Sequence, residues 1–258
     1  MILSPKTLQS FPLYCLFKGE WGTRKSTSAL SFPQPQYWFD FDQKMEGLIL
    51  PMKNWGIDQV EYDSYNDWAK AEVKLKSLQA KCPYKTIVID TISSCADSIN
   101  RQTLKLKEGT TTNQGQDAGR KIAGIAVNTE EDYKAETSAL QNLMALTKDI
   151  HKYHKVNVVL VAHVISRYQK EGSKTHIART IVTGAQQMAA KIPGYCHEIY
   201  HFNMKGDMSG AKYSVLTTHT RDDFARTSLP LAKEIVFEDD PLYEKYLVPA
   251  MVELLKTK

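Results

Sequence analysis

A short basic segment near the start of the chain has the residue types and spacing that bind phosphate. Residues 19–26 read GEWGTRKS and fit the pattern G-x-x-x-x-G-K-[ST], except that arginine stands at the second specified glycine. In such a loop, backbone N–H groups point at phosphate oxygens, the lysine reaches the β- and γ-phosphates and the hydroxyl binds Mg²⁺. The segment therefore predicts a nucleotide site, with the candidate residues Gly19, Gly22, Thr23, Arg24, Lys25, Ser26 and Thr27.

Arginine at position 24 conflicts with the close backbone approach that glycine allows. Arg24 fits the loop path only with an ordinary φ and ψ and an outward side chain, while Gly22 and Thr23 supply flexibility. Trp21 is expected to pack over the start of the following helix, and stacking on another group is the alternative. A basic turn at a helix start, without any ligand, is the alternative interpretation of the same string.

A second candidate residue, Asp90, closes an apolar, β-branched run. Residues 85–90 read KTIVID, which predicts a buried strand with a carboxylate at its end. A buried carboxylate is costly unless it meets a cation or hydrogen-bond donors. Ser26 and Asp90 are therefore the predicted magnesium residues, with Asp90 acting through water.

The segments that must position these residues alternate between strands and helices. Apolar runs predict strands at 13–17, 37–41, 85–90, 156–162, 197–202 and 213–218, with a further strand within 55–62. Helical patterns occur at 26–31, 67–80, 94–107, 130–153, 184–191 and 241–256. This alternation predicts an α/β fold, with a mostly parallel central sheet, helices on both faces and late antiparallel strands. Ligands of such sheets bind beyond the carboxyl ends of the strands.

The bulk composition sets limits on the class of protein. The chain has 258 residues, 42% of them hydrophobic, and a formal net charge of +4, which permits a polyanionic partner without demanding one. It has no apolar run long enough to cross a bilayer and a poor signal-peptide pattern. The four cysteines are far apart, so we expect reduced thiols and a cytoplasmic protein. No linker or repeat interrupts the pattern, so one domain is expected over 1–258, with a core at about 12–230 and a helical tail at about 239–258.

Taken in order, the motifs resemble those of RecA-like phage P-loop ATPases, the compact core-only class of phage single-strand-annealing recombination systems. The resemblance covers roughly residues 12–230. GEWGTRKST and TIVIDTIS resemble the two nucleotide motifs, YWFDFDQ the strand with the catalytic carboxylate, and VVLVAHV the strand that ends in a γ-phosphate sensor. The resemblance implies that Asp42 polarises the attacking water, with Lys25 on the phosphates and His163 as the sensor. Asp42 is one methylene shorter than the glutamate of RecA, and His163 replaces a glutamine. The alternatives are that Asp40 and Asp42 cap a turn and that His163 is a hydrogen-bonded core histidine.

The resemblance also implies DNA contacts from two loops near the axis of a ring or filament. Basic residues for phosphates and one aromatic platform are what single-strand binding requires. The candidates are Arg120, Lys121, Arg167, Tyr168, Lys170, Lys174 and Arg179. A solvated charged hairpin is the alternative. By the same likeness, Arg221 and Arg226 are candidates for a finger that reaches the ATP of a neighbouring subunit.

The function that the resemblance implies is Mg²⁺-dependent ATP binding and hydrolysis in phage DNA recombination and single-strand annealing, in the host cytoplasm. The implied partners are single-stranded DNA, further copies of the chain and a phage single-strand-binding protein, with no membrane. Two alternatives stay open: an ATP-binding switch with little turnover, and an assembly module without a direct DNA role. Arg24 motivates the first of them.

Residues 197–201 read HEIYH and match the zinc-protease pattern H-E-x-x-H. That motif requires a helix, so that both histidines face one zinc. The upstream Pro193-Gly194 pair and the neighbouring Ile199 and Tyr200 favour a strand instead. We therefore reject a zinc site; stoichiometric metal in the purified protein would revive it.

Overall fold

The computed structural model describes residues 11–109, 121–122, 125–126, 130–171, 174–206, 210–238 and 240–256. Within these ranges, the side chains of residues 106–109, 121–122, 125–126, 167–171, 174–178 and 255 are not described.

The strands form one large sheet and a small two-stranded sheet. Their bounds are β1 Tyr14–Gly19, β2 Gln36–Asp40, β3 Glu61–Ser64, β4 Thr86–Asp90, β5 Lys121–Ile122, β6 Ile125–Ala126, β7 Asn157–Glu171, β8 Lys174–Ile181, β9 Glu198–Lys205, β10 Lys212–Leu216 and β11 Glu234–Phe237. The large sheet has the order β11-β10-β9-β1-β7-β4-β2-β3, and β8 pairs with β7. Strands β1, β2, β3, β4, β7 and β9 pair in parallel, whereas β8, β10 and β11 are antiparallel.

Helices cover both faces of the large sheet. They are α1 Lys25–Leu30, α2 Ile49–Trp55, α3 Trp68–Ala80, α4 Ile92–Gly109, α5 Glu130–His154, α6 Gln186–Tyr195 and α7 Val248–Lys256, with a 3-10 turn at Met45–Leu48 and a π turn at Tyr243–Leu247. Successive side chains of a strand point to opposite faces. Tyr14 and Leu16 of β1 accordingly pack with residues of α3 to α6, whereas Cys15 and Phe17 pack with residues of α1 and α7. The predicted fold class is confirmed.

Local chemistry accounts for the ends of the longer helices. α3 begins after Asp67, whose carboxylate accepts a hydrogen bond of 2.9 Å from the Ala69 N–H. α5 has acidic residues in its first turn and His151, Lys152 and His154 in its last turn, which complement the helix dipole.

All four cysteines are free.

Two predicted segments differ from the structure. β7 extends to Glu171, well past the predicted end at residue 162, because its second half pairs with β8 in a hairpin. Residues 55–62 contain only the start of the third strand, since Trp55 ends α2 and β3 begins at Glu61. The YQKEGSK segment predicts a hairpin with its tip at Gly172, and the pairing of β7 with β8 confirms that hairpin, but apolar patterning alone did not show that β7 continues into it.

Candidate functional site

The carboxyl ends of neighbouring parallel strands bring the predicted site residues together. Gly19 at the end of β1 lies in register with His163 on β7, and Asp40 at the end of β2 lies in register with Asp90. The Asp42 N–H also donates to the Asp90 carbonyl at 3.3 Å, which holds Asp42 beside the end of β4. Parallel pairing thus places at one edge of the sheet residues that are far apart in sequence.

The loop after β1 has the tight path that a phosphate-binding turn requires. A Cβ added at Gly19 would lie 2.4 Å from the Phe202 carbonyl oxygen, so only glycine fits there. Gly22 has a left-handed φ of +75°, and the buried Thr23 donates to the Glu20 carbonyl at 2.8 Å. Thr27 lies half-buried in α1. The lack of space for a side chain at Gly19, the left-handed φ of Gly22 and the hydrogen bond from Thr23 support the predicted loop geometry.

Arg24 takes a conformation that the sequence did not predict. Its φ is 65° and its ψ 24°, in the left-handed region, so the expectation of an ordinary φ and ψ is wrong. The outward side chain was predicted correctly: the guanidinium lies 3.9 Å from the centroid of the Tyr213 ring on β10 and donates to the Glu238 carbonyl. A left-handed residue with a side chain costs roughly 1–2 kcal/mol. A cation–π contact contributes about 0.5–1 kcal/mol, and a hydrogen bond about 1 kcal/mol, so these contacts offset the strain.

This balance predicts different stabilities for two variants of Arg24. Arg24→Ala keeps the left-handed strain and loses both contacts, whereas Arg24→Gly loses the contacts and the strain together. We expect Arg24→Ala to be less stable than Arg24→Gly by about 1 kcal/mol, measured by urea unfolding without nucleotide. Equal unfolding free energies for the two variants would contradict the left-handed conformation.

Lys25 is buried, and its ammonium group is held by the loop itself. Its Nζ donates to the carbonyls of Gly19 at 3.0 Å and Glu20 at 2.6 Å, and to the Thr23 hydroxyl at 3.2 Å. Burial lowers the pKa of Lys25 to about 8, opposed by the nearby charges of Asp90, Asp42 and Glu20. A buried cation at the start of α1 is the electrostatic arrangement that attracts a polyphosphate.

Asp90 lies where a cation would relieve its burial. The Ser26 hydroxyl lies close enough to the Asp90 carboxyl to lower its pKa, so the two predicted metal residues are adjacent. The net pKa of Asp90 is nevertheless raised to about 7, mainly by burial and also by the charges of Asp42 and Asp40, against the effects of Ser26 and Lys25. Its Oδ1 atom has no hydrogen-bond partner among the residues that the structure describes. Hydroxyl and carboxylate oxygens are ligands that suit Mg²⁺, so Ser26 and Asp90 fit that ion.

Asp42 accepts hydrogen bonds on both carboxylate oxygens. Thr91 donates to Oδ1 at 3.1 Å and Ser94 also donates to Oδ1, while His163 Nε2 lies 3.2 Å from Oδ2. Burial by itself raises the pKa of Asp42, but the hydrogen bonds from His163, Ser94 and Thr91 outweigh it and lower the pKa to about 2. Asp40 points elsewhere, since it accepts from the Ser64 hydroxyl at 3.0 Å. Sequence reasoning missed Ser94, although its place just after the Asp90 strand was a usable signal.

His163 connects Asp42 to the tip of the loop. Its ring stacks on Trp21, with ring centroids 4.9 Å apart and an interplanar angle of 23°. The expectation that Trp21 packs over the helix start is therefore wrong. The backbone N–H of His163 donates to the Ser93 hydroxyl at 3.1 Å, which fixes the residue against α4. His163 thus touches both the loop and the candidate base.

Comparison with known proteins identifies the family of the chain. Residues 12–229 match the AAA domain family designated AAA_24. The chain belongs to this AAA domain family. The match supports the P-loop nucleotide-binding identity that the sequence predicted. A solved structure of a KaiC-like protein from the hyperthermophilic archaeon Pyrococcus horikoshii OT3 is also similar, with 14% identity, a TM-score of 0.46 and coverage of 88% of this chain and 90% of that chain. No curated protein matches the sequence significantly.

A second charged cluster of this AAA domain adjoins the loop and was not predicted as a unit. Arg179 on β8 donates to Asp223 Oδ2 at 2.6 Å, and its Nε lies 3.8 Å from Glu20 Oε1. Burial lowers the pKa of Lys18 to about 8 and that of His201 to about 4, while the Asp223 charge raises both. Arg179 is a candidate for DNA contact, and the structure places it beside Glu20 of the nucleotide loop. Sequence spacing gave no sign of this contact, because Glu20 and Arg179 lie in distant segments of the chain.

The remaining candidates of this AAA domain, for DNA contact and for the finger, lie in several parts of the chain. Arg120 lies outside the described residues, as do the side chains of Lys121, Arg167, Tyr168, Lys170 and Lys174. The backbone of the last four lies in the β7–β8 hairpin. Arg221 is exposed, and Arg226 donates to the Cys196 carbonyl near the amino end of β9.

The HEIYH segment of this AAA domain does not form a zinc motif. Glu198 and His201 lie on β9, as the residues around them predicted, so their side chains point to opposite faces of the sheet. Across the part of the chain that the structure describes, His, Cys, Asp and Glu residues form no cluster of three or more that could hold a metal. None of the helices described combines the length and apolar character needed to cross a bilayer.

Proposed function

We propose that the chain is a Mg²⁺-dependent ATPase. The observation that carries this proposal is the closeness of the Ser26 hydroxyl to the buried Asp90 carboxyl, whose pKa it lowers, next to the buried ammonium group of Lys25. These three residues come from two different segments and supply both a cation site and a phosphate-binding cation. A basic turn without a ligand would not need a buried carboxylate at its side.

The residues around this site suit hydrolysis of a phosphoanhydride. Lys25 exchanges its loop carbonyls for phosphate oxygens, and backbone N–H groups of residues 22–26 orient the triphosphate. Mg²⁺, when bound by Ser26 and Asp90, neutralises charge on the phosphates. Asp42 polarises a water molecule for in-line attack, and His163 holds the carboxylate of Asp42 in place.

The alternative function is an ATP-binding switch with little turnover. A specific observation favours it: the Asp42 carboxylate accepts hydrogen bonds from three side chains, and its pKa of about 2 makes it a weak base. Unless bound ATP releases one of these donors, proton transfer to Asp42 is slow. The left-handed Arg24 is a further departure from an efficient phosphate loop.

We also propose that the ATPase acts on single-stranded DNA in recombination, as part of a ring or filament. This proposal is supported by the sequence resemblance to phage annealing systems and by the position of the β7–β8 hairpin. The hairpin begins one residue after His163, so a change at the sensor would reach it directly. Its basic residues and Tyr168 are the types that single-strand binding uses. A finger from Arg221 or Arg226 would require neighbouring subunits, and a phage single-strand-binding protein is a further proposed partner.

Measurements of phosphate release from ATP and of native mass separate these functions. We expect phosphate release from ATP that depends on Mg²⁺, stops with EDTA and accelerates when single-stranded DNA is added, together with a native mass above that of one chain. Mg²⁺-dependent binding of ATP without phosphate release would favour the switch. Turnover without DNA stimulation would argue for the DNA-independent assembly module. Absence of ATP binding would overturn the proposed site.

A further inference from the structure

We propose that Arg24 and Tyr213 form the contact surface for the nucleoside of the bound nucleotide. This inference rests on the proposed function and deepens it. The pair joins the phosphate loop to β10, and the guanidinium lies 3.9 Å from the centroid of the tyrosine ring. Arg24 also donates to the Glu238 carbonyl just after β11, so its side chain is held from two strands.

The direction of the triphosphate places its nucleoside on this side. Asp90 and Asp42 lie at the ends of β4 and β2, on one side of β1 in the sheet order. They mark the end where the metal and the attacking water sit, which is the γ-phosphate end. The opposite end of the nucleotide must then point to the other side of β1, where β9, β10 and β11 lie. Tyr213 lies on that side, on β10, and Arg24, the residue before Lys25 in the loop, extends its side chain toward it.

The chemistry of the pair suits a flat, uncharged ring system. Tyr213 is partly exposed, and Phe237 supports it from β11 at a ring-centroid distance of 6.5 Å. The guanidinium lies over one face of the phenol ring, so the stacked pair presents the flat outer face of the guanidinium, on which a nucleobase can stack. Stacking of this kind tolerates any base, because every base has a π face. We therefore expect ATP and GTP to bind with similar affinity.

This role also gives a reason for arginine at a glycine position. The left-handed backbone of Arg24 directs the side chain out of the loop and onto β10, instead of toward the phosphates. Lysine would keep the charge but lose the planar group that stacks on an aromatic face. The proposal requires the planar guanidinium group of Arg24 more than its positive charge.

The test compares two ligands, ATP and inorganic tripolyphosphate, by calorimetry with Mg²⁺. We expect Tyr213→Ala and Arg24→Lys each to weaken ATP binding by about tenfold, since one base–aromatic stack is worth roughly 1–3 kcal/mol. Neither substitution should change the affinity for tripolyphosphate. Tyr213→Phe keeps the ring and should retain native ATP affinity. Tyr153→Ala is the matched control, because Tyr153 is also an exposed ring with a cation, Lys152, 5.4 Å from its centroid.

Several results would overturn the inference. If Tyr213→Ala binds ATP like the native protein, the ring does not touch the nucleoside. If Arg24→Lys keeps native ATP affinity, or if both ligands weaken equally, position 24 acts on the phosphates through its charge. Native protein that binds neither ligand refutes the proposed function itself. Native protein that binds both ligands, with unaffected variants, refutes only the nucleoside surface. Urea unfolding of each variant shows whether a loss reflects misfolding, and Tyr213→Phe supplies the folded reference.

Discussion

Lys25→Ala is expected to reduce ATP affinity by at least about a hundredfold. The Lys25 ammonium group would donate to the β- and γ-phosphates, and a hydrogen bond to a charged group contributes roughly 1.5–3 kcal/mol. Two such bonds correspond to about two orders of magnitude or more in Kd. Isothermal titration calorimetry with Mg²⁺ and ATP measures this directly.

The control for this variant is Lys76→Ala. Lys76 is an exposed lysine on α3 that pairs with Glu72 at 2.7 Å and lies outside the nucleotide loop. It should bind ATP like the native protein. Unchanged ATP affinity in the Lys25 variant would move the nucleotide away from this loop and remove the basis of the proposed function.

Asp42→Asn is expected to lower kcat for ATP hydrolysis by about 10²–10⁴-fold, the usual contribution of a general base. The amide has nearly the same size as the carboxylate, so ATP binding at Lys25 should persist. Because the pKa of Asp42 is lowered to about 2, the carboxylate stays ionised near neutral pH. Acidification toward the ordinary aspartate range should therefore not protonate it, and no loss of turnover in that range should trace to this residue. Phosphate release measured across pH in both proteins tests this.

Asp58→Asn provides the matched control for the Asp42 variant. Asp58 is an exposed aspartate before β3 and should leave kcat unchanged. Equal turnover in the native and Asp42→Asn proteins would assign the base to another residue. Native protein without turnover would favour the binding switch, and rapid native turnover that depends on Asp42 would exclude it.

The amino-acid sequence by itself determined the features that depend on neighbouring residues. Apolar runs predicted the core strands β1, β4 and β7, because strand burial follows local composition. The spacing from Gly19 to Ser26 predicted the nucleotide loop, because a tight turn into a helix is built from consecutive residues. Asp90 was identifiable because a carboxylate closing a buried strand requires a nearby cation or donor.

Only the tertiary structure decided how these segments meet. Asp42 and His163 are 121 residues apart, and the hydrogen bond between them follows from the order of the strands in the sheet. The left-handed φ of Arg24 depends on partners at Tyr213 and Glu238, and the closeness of Arg179 to Glu20 of the loop was not visible in the sequence. Local sequence patterns determine whether a segment forms a helix or a strand and which of its residues are buried. The partners of a side chain depend on which distant strands pair, which is settled by the packing of the whole core.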